Sequence, residues 1–368
     1  MKGKNVLAYM ILRIFLIAWV CLSIPVSDAG AEESYFPCPV LVNAGLKGKL
    51  RHVKKWGYID IHEKMVIKPR FNEAWSFSEG LATAANARFK RGFIDLKGNW
   101  VIKPQYDDVR SFREGMAAVS SNRKYGFVDK TGQVVVPLVY DNAMNFSEGL
   151  AQVAIKEKWG AIDKTGRVVV PLIYDLVSDF REGLACFKDN KKYGFMDKSG
   201  RIVIPAQFER VLYGFSEGLA GVQIGGKWGF IDHSGRIVIE PKFDRAAKTV
   251  MFKEGLAAVK IGGKCGYIDK TGSIRIKPDY RYALNFSEGL AAVMLNGTEA
   301  YIDPSGNIVI RIEQNRGTAY WTGDFRKEGV AQICFNDSNV SAEDCGFIDR
   351  QGKYVIQPKY SSHHVYFD

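Results

Sequence analysis

Apolar residues in this chain come in short, β-branched runs separated by turn residues. In "EGLAQVAIKEKWGAIDKTGRVVVPLIYDLVSDF" (Glu148–Phe180) three such runs, "LAQVAI", "WGAID" and "RVVVP", are divided by "KEK" and "DKTG". Runs of this length, bounded by Gly, Asp, Lys and Pro, read as strands rather than helices. The stretch recurs. Aligned on the glycine of "WG", copies fall at Gly57, Gly92, Gly126, Gly160, Gly194, Gly229, Gly266 and Gly346, with Ala300 taking the place between the last two. Successive steps are 34 to 37 residues until the last, of 46, where "FNDSNVSAED" precedes Cys345.

A period near 34 also belongs to a helical hairpin repeat. Here each unit carries glycines at "EG", usually at "WG" and in the turn, and usually a proline, all poor helix-interior residues. Each unit is therefore expected to be a three-stranded antiparallel meander. The proline should end the third strand, because it cannot donate to the ladder. "YDLVSDF" should then cross to the next unit as a short helical turn or an irregular bridge.

Two recurring groups have a structural reading. An aspartate opens the second turn of all nine units, at Asp60, Asp95, Asp129, Asp163, Asp197, Asp232, Asp269, Asp303 and Asp349. A carboxylate there accepts hydrogen bonds from its own turn's amides, and the glycine that usually follows tolerates positive φ. A ladder of calcium sites would need several oxygen ligands per ion, more than one carboxylate per turn supplies. Aromatic rings also recur before the "WG" glycine (Trp56, Tyr125, Trp159, Tyr193, Trp228) and before "EG" (Phe77, Phe112, Phe146, Phe180, Phe215, Phe252, Phe286, Phe325). Both sets are expected in the core between repeats, with the first lying against the alanine two places after each "EG".

The combination of "KWGxID" and "FSEGLA" resembles the WG-repeat family, also called KWG repeats, over about residues 45–360. The resemblance implies a β-rich repeat array and no particular activity. The chain departs from it at Arg91, Cys265 and Cys345, where the aromatic is absent, and in the eighth unit, which has Glu299-Ala300 and no proline. The expected organisation is a leader at 1–31, a linker at 32–44, nine repeats at 45–360 and a tail at 361–368. Repeats that touch only neighbours form solenoids, whereas radial repetition gives propellers. Because 34 residues is short for a four-stranded blade and the last step is uneven, an open β-superhelix or solenoid is expected over a closed propeller-like ring.

The first residues differ in kind. "MKGK" is positive, "VLAYMILRIFLIAWVCLSIPV" is apolar apart from Arg13, and Ala29 and Ala31 are small. This order reads as a secretory signal cleaved near Ala31, with an uncleaved anchor as the alternative. Export points to the periplasm, the cell surface or the medium, with no membrane insertion after cleavage. Beyond Cys21 the cysteines are Cys38, Cys186, Cys265, Cys334 and Cys345. Cys334 and Cys345 flank one short loop and are expected to pair in an oxidising compartment.

Formal charge is +11. A lysine precedes the aromatic position in seven units, at Lys55, Lys90, Lys124, Lys158, Lys192, Lys227 and Lys264. Stacked, these form a row that would attract an anionic polymer; the alternative is that each pairs with a nearby acid. Export argues against nucleic acid.

Catalytic and cofactor signals are absent from the sequence. The five histidines form no metal-binding spacing, and no CxxC occurs. "GVQIGGKW" (Gly221–Trp228) matches a phosphate loop but lacks the Ser or Thr after its lysine. The expectation is a non-enzymatic exported scaffold, without cofactor or metal, binding a protein or an anionic envelope polymer. The contrasting reading is an envelope hydrolase with its site in Glu32–Leu46, Phe335–Asp344 or Ser361–Asp368; a third is a structural array associating edge to edge. Units that break the consensus, at Cys265, from Glu288 and before Cys345, are the expected place for a specific surface.

Overall fold

The computed structural model describes residues 36–46, 49–60, 62–246, 251–312, 319–326, 329–336 and 343–361. The leader at 1–31 lies outside them, as do residues 362–368 of the tail. All regular structure described is β-strand, in one three-stranded sheet followed by eight four-stranded ones. The first sheet is built from Phe36–Leu46, Lys49–Ile59 and Met65–Phe71. Residues 36–46, assigned above largely to a linker, are thus a sheet strand, paired along its whole length with Lys49–Ile59.

In the four-stranded sheets, strands a to d follow chain order and lie side by side in that order. The fourth sheet shows the plan: a, Asn142–Ser147; b, Leu150–Ile155; c, Lys158–Asp163; d, Val168–Tyr174. Strand b is buried on both faces, while d alternates between buried and exposed positions and forms the outer edge.

The three-stranded meander is corrected on two points. The segment read as a bridge becomes strand a of the next sheet, two to seven residues long. Four strands fit into 34 residues because a is short and the turns are tight. The proline does not end strand d either. Pro171 lies inside Val168–Tyr174, where Trp159 pairs with Tyr174 and Ala161 with Val170. Three residues of d therefore stand against Gly160 alone, a bulge that absorbs the missing amide hydrogen.

The open superhelix is overturned by closure. The strand Phe36–Leu46 of the first sheet lies beside Tyr354–Ser361 of the last. The Gln357 amide donates to Glu63 Oε1 at 2.9 Å, across almost the whole sequence. The molecule is a β-propeller ring of eight four-stranded blades, with the three-stranded sheet set between its ends. The uneven last step was no obstacle: of its 12 extra residues relative to the step before, six precede Gly329 and six fall between Gly329 and Gly346, which includes the b–c connection of the last blade.

The core lies between neighbouring sheets. The aromatic before each "EG" is buried in most sheets and packs on the ring that follows "WG" in the preceding sheet: Phe93 on Phe112, Phe127 on Phe146, Phe195 on Phe215, Phe230 on Phe252, with centroids 4.6–4.9 Å apart. Each such ring contributes about 2–3 kcal/mol by burial. The alanines after "EG" share these clusters with the ring before "WG" as well: Ala82 with Trp56, and Ala257 with Trp228. Trp56 and Trp228 are buried, but Tyr125, Trp159 and Tyr193 are only half-buried.

Polar links repeat around the same ring. Ser78, Ser147, Ser216 and Ser287 donate to the Phe112, Phe180, Phe252 and Phe325 carbonyls of the following sheet at 2.7–2.9 Å. In the sheets between, that position holds Arg113, Arg181, Lys253 and Arg326. The ring therefore repeats in pairs of sheets.

Candidate functional site

A meander of four strands sends its a–b and c–d turns to one face of the ring and its b–c loops and inter-sheet links to the other. On the first face, glutamates are tied to the next sheet. Glu79 accepts from the Glu114 and Gly115 amides at 2.5 and 2.9 Å and from Lys130 at 3.3 Å, all in the next sheet. Glu114 repeats this with Gly149 and Lys164, and Glu217 with Gly255 and Lys270. These glutamates sit at positive φ as the first residue of a tight a–b turn whose second is glycine. Burial pushes the Glu79 and Glu217 carboxyls up, but the amide and lysine bonds outweigh it and hold both below the usual range. Arg113, Arg181 and Lys253 on this face each adjoin one of the glutamates.

The same face carries the aspartate turns. Asp129 Oδ1 accepts from the Thr131 hydroxyl at 2.6 Å and from the Thr131 and Gln133 amides at 2.9 and 3.0 Å. In the fourth and fifth sheets the hydroxyls of Thr165 and Ser199, helped by Arg167 and Arg201, bring Asp163 and Asp197 down to about 2. Each carboxylate serves its own turn.

The lysine row lies on the opposite face. Lys90, Lys124, Lys158, Lys227 and Lys264 bond Asp107, Asp141, Asp175, Asp244 and Asp279, the last four at 2.5–2.8 Å. Lys55 donates to Asn72 instead. Three of the aspartates also hold the next sheet's b–c loop through an amide, as Asp141 does with Lys156 at 2.8 Å. The lysine bonds, helped by these amides at Asp107, Asp141 and Asp244, lower the pKa values of Asp107, Asp141, Asp175 and Asp244. Four row lysines are therefore committed to links between sheets, while Lys264 pairs within its own sheet. Lys192 has no ion pair among the described residues, because Glu209, at the matching place, accepts instead from the Gly225 and Gly226 amides at 3.0 and 2.9 Å. Those amides belong to the phosphate-loop look-alike, which is thus a b–c turn with a carboxylate already seated on it.

What the row does not supply, the loop tips do. In the sixth, seventh and eighth sheets the two-residue b–c turns are Gly225-Gly226, Gly262-Gly263 and Asn296-Gly297, all at positive φ. In the third, fourth and fifth they are Asn122-Arg123, Lys156-Glu157 and Asn190-Lys191, equally left-handed but without glycine. Arg123, Lys191 and Lys192 are exposed and have no ion pair among the described residues. The second sheet differs again. Its loop, Asn86 to Lys90, copies the aspartate turn: Asn86 Oδ1 accepts from the Arg88 and Lys90 amides at 2.9 and 3.1 Å. At the place of that turn's glycine stands Phe89, with φ 57° and 60% exposed. Exposed Arg88 beside it also lacks an ion pair. Sequence reading missed this patch because it compared what the copies share; the signal was in what replaces Gly-Gly.

A disulfide joins Cys334 and Cys345 across strands b and c of the last blade. Cys186 and Cys265 are buried thiols, and burial pushes Cys186 up to about 12. Cys265, in a consensus-breaking unit, lies in the core. Among the described residues no three His, Cys, Asp or Glu side chains gather as metal ligands. Of the irregular segments considered for catalysis, 36–46 is a strand, and 337–342 and 362–368 lie outside the described residues.

No curated protein matches the sequence significantly. Among solved structures, a eukaryotic initiation factor is 10% identical, with 87% of this chain and 94% of that one aligned and a TM-score of 0.59. Apo AztD from Citrobacter koseri is also 10% identical, covering 89% of this chain and 96% of its own, at a TM-score of 0.45. Similarity at this identity speaks to fold and not to function. The WG-containing repeat matches eight times, at residues 56–85, 92–125, 125–159, 159–193, 193–228, 228–265, 266–298 and 346–363. With well over half of its length matched in consecutive copies, the chain belongs to the WG-containing repeat family.

Proposed function

We propose that this chain is an exported, non-enzymatic scaffold that holds an anionic partner of the cell envelope, a protein or a polymer, on its b–c loop face. The observation that carries this reading is the division of labour among the cations. Five row lysines are paired with aspartates, whereas Arg88, Arg123, Lys191 and the row's own Lys192 stand exposed on the same face with no ion pair among the described residues. Charges that hold no neighbour are available to a ligand. Export is supported by the apolar, positively started leader, and a non-enzymatic role by the regularity of the carboxylates, each occupied by its own turn or the next sheet.

The test is binding of residues 32–368 to soluble polyglutamate, a plain anionic probe, at low and moderate salt. Binding should weaken steeply as salt rises. Joint Arg88→Ala, Arg123→Ala and Lys191→Ala should remove most of it. Joint replacement of the paired Lys124 and Lys158 by Ala should destabilise the fold more than it weakens binding. If the loop-tip variant binds as the parent does, the reading is wrong.

A further inference from the structure

We propose that the b–c loop face docks on an anionic lipid surface, with Phe89 as the residue that enters the headgroup layer. The inference rests on the reading that this face engages an anionic partner, and takes that partner to be a lipid surface in place of a protein or polymer.

Phe89 combines three properties. Its ring is 60% exposed. Its backbone is in the left-handed region at φ 57°, where an aromatic residue is an outlier and where the same turn elsewhere has Gly98, Gly132, Gly166 or Gly200. Its loop is longer than those beside it: five residues separate strands Leu81–Ala85 and Arg91–Ile94, against two in the third to eighth sheets. Glycine at 89 would remove the strain and the exposed apolar area at once. Strain kept at an exposed tip points to use of the side chain.

The surroundings favour a lipid surface over a pocketed protein. The b–c loops of neighbouring sheets share one face of the ring, so Arg88, Arg123, Lys191 and Lys192 stand together on that face, in the second, third and fifth sheets. A bilayer meets such a face everywhere, its anionic headgroups attracting cations near the surface. Aromatic rings settle at the boundary between headgroups and acyl chains. Phe89 projects from a loop longer than those of the third to eighth sheets, with Arg88 beside it. Across the ring the Gly-Gly and Asn-Gly tips offer neither charge nor ring, so the contact is one-sided.

The experiment is co-sedimentation of residues 32–368 with vesicles of phosphatidylcholine containing phosphatidylglycerol, run beside polyglutamate binding. The parent should bind the mixed vesicles, release them at high salt, and ignore pure phosphatidylcholine. Phe89→Gly should weaken vesicle binding by about tenfold, leave polyglutamate binding unchanged and raise the melting temperature. Arg123→Glu should weaken both. Lys198→Glu, on the opposite face, should alter neither. In a Phe89→Trp variant, bromine-labelled acyl chains should quench fluorescence beyond that of the parent. Polyglutamate binding without vesicle binding, or full vesicle binding by Phe89→Gly, overturns the lipid inference and leaves the anionic-partner reading standing. Loss of neither ligand with Arg123→Glu overturns both.

Discussion

Gly160 lies directly beneath the bulge that contains Pro171: a Cβ on Gly160 would stand 2.3 Å from the Val170 carbonyl oxygen and 2.8 Å from the Pro171 carbonyl carbon. These are backbone atoms and cannot swing aside. The "WG" glycine is thus required by the proline two strands' width of turn later, not by its own φ. Gly160→Ala should destabilise the protein by about 3 kcal/mol or more, seen as a lower urea midpoint with the slope preserved. The eighth unit supplies the control. There Arg311 replaces the bulged segment's proline, Ala300 pairs with Arg311 in a regular ladder, and no bulge forms at that point. Ala300→Gly should cost only about 1 kcal/mol.

Much of this was legible in sequence because each repeat states it again. The strands, the aspartate turn and the burial of the pre-"EG" phenylalanines follow from spacing and residue type alone. The fourth strand did not, since Asp108–Val109 or Leu176–Val177 is too short to show alternation. Closure was hidden for another reason. It depends on Gln357 meeting Glu63, residues that no local pattern connects. The loop patch was missed because Phe89 departs from a consensus rather than repeating one.

Glu79 tests the carboxylate links. Its side chain holds two amides and a lysine of the next sheet. Glu79→Ala leaves those amides without their acceptor and should cost about 1–2 kcal/mol. Glu79→Gln keeps an acceptor oxygen and should cost less. Equilibrium unfolding of the two variants measures the difference.

Acid should loosen the turns in a defined window. Asp163 and Asp197 are lowered from 3.8 to about 2 in the folded chain. Their folded pKa lies below the unfolded one, so their contribution is complete above about pH 4 and is lost as pH falls toward 2. Urea midpoints at pH 5, 3 and 2 should decline over that range. Asp163→Asn with Asp197→Asn should lower the midpoint at pH 5 and flatten the decline.

The Cys334–Cys345 bond closes a connection of sequence separation 11 in the last blade. A link of that span is worth about 2–3 kcal/mol through the unfolded chain. Reduction, or joint Cys334→Ala and Cys345→Ala, should lower the melting temperature by a few degrees. The buried Cys186 and Cys265 should stay unreactive toward a thiol reagent until the fold opens.

Two facing strands of the fourth sheet depart from the pattern together. Across strands b and c of the fourth sheet, Gln152 faces Ala161. The matching pairs in the third and fifth sheets are Ala118 with Phe127 and Cys186 with Phe195. Ala161, where the usual ring is missing, lies in the buried cluster that includes Phe180, and Gln152 stands across the ladder from it. The exchange has a cost. Gln152 is fully buried, and neither atom of its amide has a hydrogen-bond partner; a buried polar group in that state costs about 1–3 kcal/mol. Ala161→Phe alone should be destabilising, because the ring and the glutamine compete for one space. Gln152→Ala alone removes the polar cost but leaves a void. Together they rebuild the arrangement of the neighbouring sheets, a ring set against the next phenylalanine. The pair should therefore be at least as stable as the parent, with a coupling energy of about 2 kcal/mol or more in a double-mutant cycle. Simple additivity of the two changes would show that the glutamine and the missing ring do not share a space.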